Sequence, residues 1–228
     1  SPCVRHRRAL RRHHPQDLTM NAIATPSLAQ VLDHPGIWRR SADRQPRVRA
    51  LSTGWTSLDA KLPGGGWPQG ALSEILFEHD GLGELDLVMP ALAALTQEHR
   101  RVIFVAPPYL PYAPALAAAG VDLRFLHEIH AGTTEAAWSM EQCLRSGCCG
   151  AVVGWLPDID YRSLRRLQLA AETGDACAMI FRPAGHAAQN SPAALRLKVS
   201  NSDEATYVDV LKSRGLLTTT APLLRMRA

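Results

Sequence analysis

Apolar residues along this chain gather in short runs, and between the runs they recur every three or four positions. The runs are Ala71 to Phe77, Arg101 to Ala106, Phe125 to His130, Gly150 to Leu156, Cys177 to Phe181 and Leu195 to Val199, all of strand length. Helical spacing fills Glu84 to Glu98, Pro114 to Ala119, Thr134 to Arg145 and Tyr161 to Thr173; in the last, Leu164, Leu167, Leu169 and Ala171 oppose Arg162, Arg165 and Arg166. Strand and helix in alternation predict a largely parallel sheet covered on both faces. Thr206 to Lys212, with Tyr207, Val208, Val210 and Leu211, predicts an edge strand.

The periphery is read from its breakers. Thr56 or Ser57 is expected to cap a helical turn through Leu58 and Leu62. Pro63 to Gly70 then forms a turn whose three consecutive glycines permit positive φ, with Trp67 as an anchor. Ala106-Pro107-Pro108-Tyr109-Leu110-Pro111-Tyr112 is a stiff loop, its two tyrosines expected to pack on the loop itself, with an exposed platform as the alternative. Ser27 to Leu32 reads as a short amphipathic helix ended by His34-Pro35-Gly36. Residues 1–19 are expected to be a disordered basic head or upstream translation ahead of Met20, 20–50 a helix and arginine-rich linker, 51–214 the core, and 215–228 a tail.

Charge alters this picture little. The formal net charge of +4 arises in the head, which holds Arg5, Arg7, Arg8, Arg11 and Arg12 against Asp17 alone. Without it, basic and acidic residues balance, so no basic face of the core announces nucleic acid. The linker arginines Arg39, Arg40, Arg44, Arg47 and Arg49 are candidate DNA-contacting residues, a solvated connector being the plainer reading. The longest apolar runs fall far below the roughly 18 to 20 residues that span a bilayer. Five cysteines without a C-x-x-C pair predict buried free thiols in a reducing cytosol and no metal; the adjacent Cys148 and Cys149 do not comfortably share one zinc ion.

The stretch after Ala71 to Phe77 is laid out like a phosphate loop and lacks its chemistry. Glu78-His79-Asp80-Gly81-Leu82-Gly83-Glu84-Leu85 puts Glu84 and Leu85 where lysine and Ser/Thr would follow the second glycine, and no lysine occurs between Lys61 and Lys198. Glu78 and Asp80 would repel phosphate. An acid for the magnesium shell is missing where Ala151-Val152-Val153 runs into Gly154-Trp155, and a water-orienting carboxylate is missing where Ile103-Phe104-Val105 runs into Ala106-Pro107-Pro108. Asp158 and Asp160 form the one tight acidic pair near a strand end, and Asp160 reads as a helix N-cap before Tyr161. His79, His127, His130 and His186 show no ligand spacing, and Ser139 and Ser163 lack a nucleophile elbow. The chain is therefore expected to be no enzyme and to hold no cofactor.

Two family resemblances arise from these residues. Thr53-Gly54-Trp55, Ser57-Leu58-Asp59, Leu62-Pro63-Gly64-Gly65-Gly66-Trp67-Pro68, Gly70 and Gly120-Val121-Asp122-Leu123 resemble RecA-type recombinases, and more closely the ImuA family of translesion mutagenesis cassettes. Val152-Val153-Gly154-Trp155-Leu156 with Phe181-Arg182-Pro183 resembles the SulA family of cell-division inhibitors. The glycine turn before the first strand and the segments after Phe181-Arg182-Pro183 weigh toward ImuA.

That resemblance implies an α/β, three-layer RecA-like (P-loop NTPase-type) core with a mainly parallel sheet and a degenerate phosphate loop. It implies a non-catalytic, damage-inducible cytoplasmic accessory of translesion synthesis, nucleoid association included. Its partners would be an ImuB-like Y-family polymerase homologue, an error-prone replicative polymerase and RecA, with DNA contact as a further possibility. Leu216, Leu217, Leu223, Leu224 and Arg225 of the tail are the candidate partner-binding residues. The alternative is a SulA-like inhibitor binding a tubulin-like GTPase; a second is an ATP-dependent recombinase-like DNA binder.

Overall fold

The computed structural model describes residues 49–78, 84–202 and 205–214. Two short strands, β1 (Ala50–Leu51) and β2 (Trp67–Pro68), pair antiparallel and enclose helix α1 (Thr56–Asp59). Gly66 is obligatory at this pairing, because a Cβ there would lie 2.0 Å from the Leu51 carbonyl oxygen. The expected Thr56 or Ser57 cap is not made: Trp55 holds the N-cap position without a side-chain bond. Instead Asp59 reaches back, accepting from the Thr53 amide at 2.8 Å and from the Thr53 and Ser52 hydroxyls at 2.7 and 2.6 Å.

The main sheet has seven strands. In chain order, with the helices between them, the elements are β3 (Ala71–Phe77), α2 (Glu84–Gln97), β4 (Arg101–Val105), α3 (Ala113–Ala118), β5 (Leu126–Ile129), α4 (Thr133–Arg145), β6 (Cys149–Trp155), α5 (Tyr161–Gly174), β7 (Cys177–Pro183), β8 (Leu195–Ser202) and β9 (Ala205–Ser213). The spatial order is β5-β4-β6-β7-β3-β8-β9. Every residue of β3 is buried, and it pairs parallel with β7 on one side (Ser73 opposite Met179) and β8 on the other (Ser73 opposite Leu195).

Alternation along the strands sorts side chains onto two faces. Ile75, Phe104, Val153, Met179 and Phe181 meet Leu87, Val88, Ala91, Leu92 and Leu95 of α2, with Leu58 and Trp67 closing the same cluster. Leu72, Val105, Val152, Ala178 and Ile180 meet Met140 and Leu144 of α4 and Leu164 and Leu167 of α5. Each large side chain removed from water in this way stabilises by about 1.5–3 kcal/mol. Gly154 belongs to the second face; a Cβ there would fall 2.7 Å from Met140 Sδ. The blank position at the end of β6 is thus set by helix packing.

Beyond α5 the second face turns polar. Glu74, fully buried, has Arg196 Nε at 3.1 Å and Arg182 Nη1 at 3.6 Å, and accepts from the Ser191 hydroxyl. Arg196 also donates to the carbonyls of His186, Ala187 and Gln189 at 2.9, 3.1 and 2.9 Å, tying the segment before β8 to the sheet. Arg182 donates to the Ile159 carbonyl at 3.0 Å, and its buried Nε has no hydrogen-bond partner. Burial pulls the Arg182 guanidinium below the usual arginine range, and the neighbouring Glu74 opposes that pull.

The expected RecA-type nucleotide core is corrected. The sheet is mixed: β8 runs parallel to β3, but β9 returns antiparallel to β8. Only two residues separate these strands, too few for a crossover. The two wall positions assigned to lost catalytic groups are filled by packing at Gly154 and by a strand exit at Ala106. Of the loop read as a degenerate phosphate cradle, His79 to Gly83 lie outside the described residues.

Candidate functional site

The connections leaving β4 and β6 fold onto opposite faces. Leu116 of α3 packs with Met89 of α2, whereas α5 joins α4. Because β4 and β6 stay paired up to Val105 and Gly154, the connections leaving their carboxyl ends part there and leave a crevice. Open α/β sheets place ligands at such a switch of direction.

One wall is built by Ala106 and the proline-rich loop after it. Ala106 adopts φ 52°, and its amide donates to the Ile129 carbonyl at 2.9 Å, so the chain leaves the sheet at a fixed angle. A left-handed alanine costs about 1 kcal/mol. Pro107, Pro108 and Pro111 then restrict φ at three of the next five positions. On this stiff arch Tyr109, Leu110 and Tyr112 are 70%, 79% and 72% exposed. The tyrosines do not pack on their own loop, which corrects the first of the two readings given for them.

The other wall is aromatic. Trp155 stacks on Phe181 at 5.2 Å between ring centres and meets Phe104 edge-on at 5.3 Å. A cavity of about 450 Å³ lies among Phe77, Glu78, Pro108, Trp155, Phe181 and Pro183. A second, of about 570 Å³, lies where Ala106, Gly132, Trp155, Asp158 and Asp160 converge. Offset apolar walls with an exposed aromatic arch suit a protein side chain better than a phosphate.

The electrostatics agree. Glu78, read as a phosphate-repelling acid, forms an ion pair with Lys198 of β8 at 2.9 Å. Sequence reading missed this neutralisation because Lys198 arrives from a strand far along the chain. Asp160 caps α5, accepting from the Ser163 amide at 2.7 Å, and that bond holds its carboxyl below the usual range. Among the described residues no group of three histidine, cysteine or acidic side chains could hold a metal ion. Nor, among them, is any helix long and apolar enough to cross a membrane.

Of the other predicted positions, Glu84 opens α2 and Leu85 packs against the core. Arg49 sits by β1, paired with Asp175 at 2.8 Å, away from the crevice. His79, Asp80, Gly81, Leu82, Gly83, Arg39, Arg40, Arg44, Arg47, Leu216, Leu217, Leu223, Leu224 and Arg225 lie outside the described residues. The sequence signal that could have found the exposed arch was present: three prolines leave little freedom for Tyr109, Leu110 and Tyr112 to fold back.

Residues 70–178 match the family described as "Cell division inhibitor SulA". The protein of that name from Edwardsiella piscicida is 32% identical over 98 residues, 42% of this chain and 58% of that protein, so the chain spans less than two thirds of that relative. The one from Serratia proteamaculans is 26% identical over 119 residues, 52% of this chain and 71% of its own length. The crystal structure of SulA from Pseudomonas aeruginosa is 26% identical and aligns over 49% of this chain and 97% of that one, with a TM-score of 0.42.

Over its central region the chain is therefore similar to the SulA family. The ImuA-type translesion accessory is overturned, and with it the ImuB-like Y-family polymerase homologue, the error-prone replicative polymerase and RecA as partners. The ATP-dependent recombinase-like reading goes with them. The stretches that favoured ImuA, around residues 53–69 and after Phe181-Arg182-Pro183, fall outside the matched span. They include the small β1–β2 sheet and the β8–β9 hairpin at the edge of the main sheet.

Proposed function

We propose that this chain is a SulA-like inhibitor of cell division, made during the DNA-damage response and active in the cytoplasm. It acts by binding a tubulin-like GTPase in stoichiometric amounts and catalyses no reaction itself. The observation that carries this reading is the arch of Tyr109, Leu110 and Tyr112, whose exposure on a proline-stiffened loop is that of interface anchors. Aromatic residues fixed before binding lose little conformational freedom on docking. The cavity between Pro108 and Trp155 would receive an apolar side chain of the partner. The similarity of residues 70–178 to named division inhibitors supports the class of activity.

The test is expression of the full chain in dividing bacteria, scored by cell length, together with titration of the purified chain into the host's tubulin-like GTPase. Filamentous cells and loss of polymer at roughly equimolar ratio are expected. Joint replacement Tyr109→Ala and Leu110→Ala should weaken binding by about tenfold or more, since truncated hot-spot residues cost at least 1–2 kcal/mol. Normal cell length with no binding by the unaltered chain would refute the proposal.

A further inference from the structure

Two thiols, those of Cys148 and Cys149, meet beside the Cys143 carbonyl at the amino-terminal end of β6, the end opposite the aromatic arch. After α4 the chain reverses through Gly147, at φ 66°, and brings Cys148 back over the last helical turn. The Ser146 hydroxyl lies 2.6 Å from the Cys143 carbonyl and 2.9 Å from Cys148 Sγ. Cys148 Sγ is 3.7 Å from Cys149 Sγ, and Cys149 Sγ is 3.6 Å from the Cys143 carbonyl. Cys148 is exposed, whereas Cys149 is buried as the first residue of its strand. A cavity of about 250 Å³, lined by His99, Arg100, Cys148, Cys149 and Asp175, opens onto the pair.

The two neighbours differ in acidity. The Ser146 hydroxyl, then the Cys149 thiol and Arg101, hold Cys148 below the usual thiol value. Burial pushes Cys149 up to about 12. Cys148 is thus the more acidic of the two thiols and the one that faces solvent. The Ser146 hydroxyl donates to the Cys143 carbonyl and stands within hydrogen-bond reach of Cys148.

We propose that Cys148 is an oxidation site for hydrogen peroxide and that Cys149 resolves it, giving a disulfide between adjacent residues. The Cys148 thiolate attacks one peroxide oxygen; an S–O bond forms, the O–O bond breaks, and the departing hydroxide takes a proton to become water. Cys149 sulfur then attacks the sulfenic sulfur; the S–S bond forms, the S–O bond breaks, and the Cys149 proton leaves with the hydroxide as a second water. Two thiols are oxidised and one peroxide is reduced. The sulfurs must close from 3.7 Å to about 2.05 Å. Cys148 lies outside the strand ladder and makes that movement.

The test uses the full chain, reduced and then exposed to hydrogen peroxide, blocked with iodoacetamide and digested with trypsin without reductant. The peptide of residues 146–162, which carries both cysteines, should be two hydrogens lighter and unalkylated. Cys143→Ser should leave this product intact, and Cys148→Ser should abolish it. In Cys149→Ser, dimedone should trap a sulfenic acid on Cys148. Before oxidation, iodoacetamide should label Cys148 about tenfold or more faster than Cys143. A cross-link from 146–162 to 125–145, or equal labelling rates for Cys148 and Cys143, would overturn the assignment.

Discussion

Glu74 Oε2 accepts a hydrogen bond from Arg196 Nε at 3.1 Å in the interior of the sheet, with Arg182 Nη1 3.6 Å from the same oxygen. One buried carboxylate thus faces two buried guanidinium groups from the strands on either side of its own. The backbone carbonyls of residues 186, 187 and 189 supply the remaining acceptors for Arg196. Glu74→Ala would leave both cations without a counter-charge and should destabilise the fold by about 3–5 kcal/mol. Glu74→Gln keeps an acceptor and should cost less. Urea denaturation of the two variants measures the difference.

Ala106 takes a left-handed conformation that β-branched side chains resist. Ala106→Val should therefore lower stability by about 1–2 kcal/mol. It should also weaken partner binding beyond what that loss explains, because the exit angle of the aromatic arch changes. Chemical denaturation read beside an affinity titration separates the two effects.

Gly154 touches Met140 of α4, so a side chain there must displace a fully buried methionine. Gly154→Ala should cost about 1–3 kcal/mol by overpacking. Gly154→Asp, which restores the acid expected of a nucleotide hydrolase, should cost more, since its carboxylate enters an apolar cluster. Thermal melting should order the three proteins as Gly154, then Ala, then Asp, and ATP hydrolysis should be absent from the aspartate variant.

Asp122 is held down to about 2 by the side chain and amide of Arg124. Its folded value lies below its unfolded one, so its contribution is present above about pH 4 and is lost as the pH falls toward 2. Asp122→Asn should flatten the acid limb of the stability curve in that window and leave its neutral region in place. Denaturation midpoints at successive pH values report this.

The elements were plain in the chain because burial wrote them there. Gly150 to Leu156 is apolar on both sides and emerges as a central strand, as does Ala71 to Phe77, whose apolar run is broken only by Ser73 and Glu74. Leu164 and Leu167 mark the buried side of α5, and Asp160 caps it as its position predicts. What escaped notice depends on strands meeting across the sheet: Lys198 beside Glu78, and Arg182 and Arg196 around Glu74. The tyrosines and Cys148 were misjudged through residue type, since aromatic rings and thiols are most often buried. The glycine turn before β3 and the segments after Pro183, which weigh toward ImuA, lie at or beyond the limits of the span 70–178 that matches SulA.

Ala106 also separates two kinds of evolutionary freedom. Along β4, from Val102 to Val105, the chain is bound by the packing of its neighbours, whereas Tyr109, Leu110 and Tyr112 contribute little to that packing. Substitutions beyond the bend can retune which surface is recognised while leaving the sheet's folding free energy nearly untouched. An arch of this kind can change what it contacts without risking the fold beneath it.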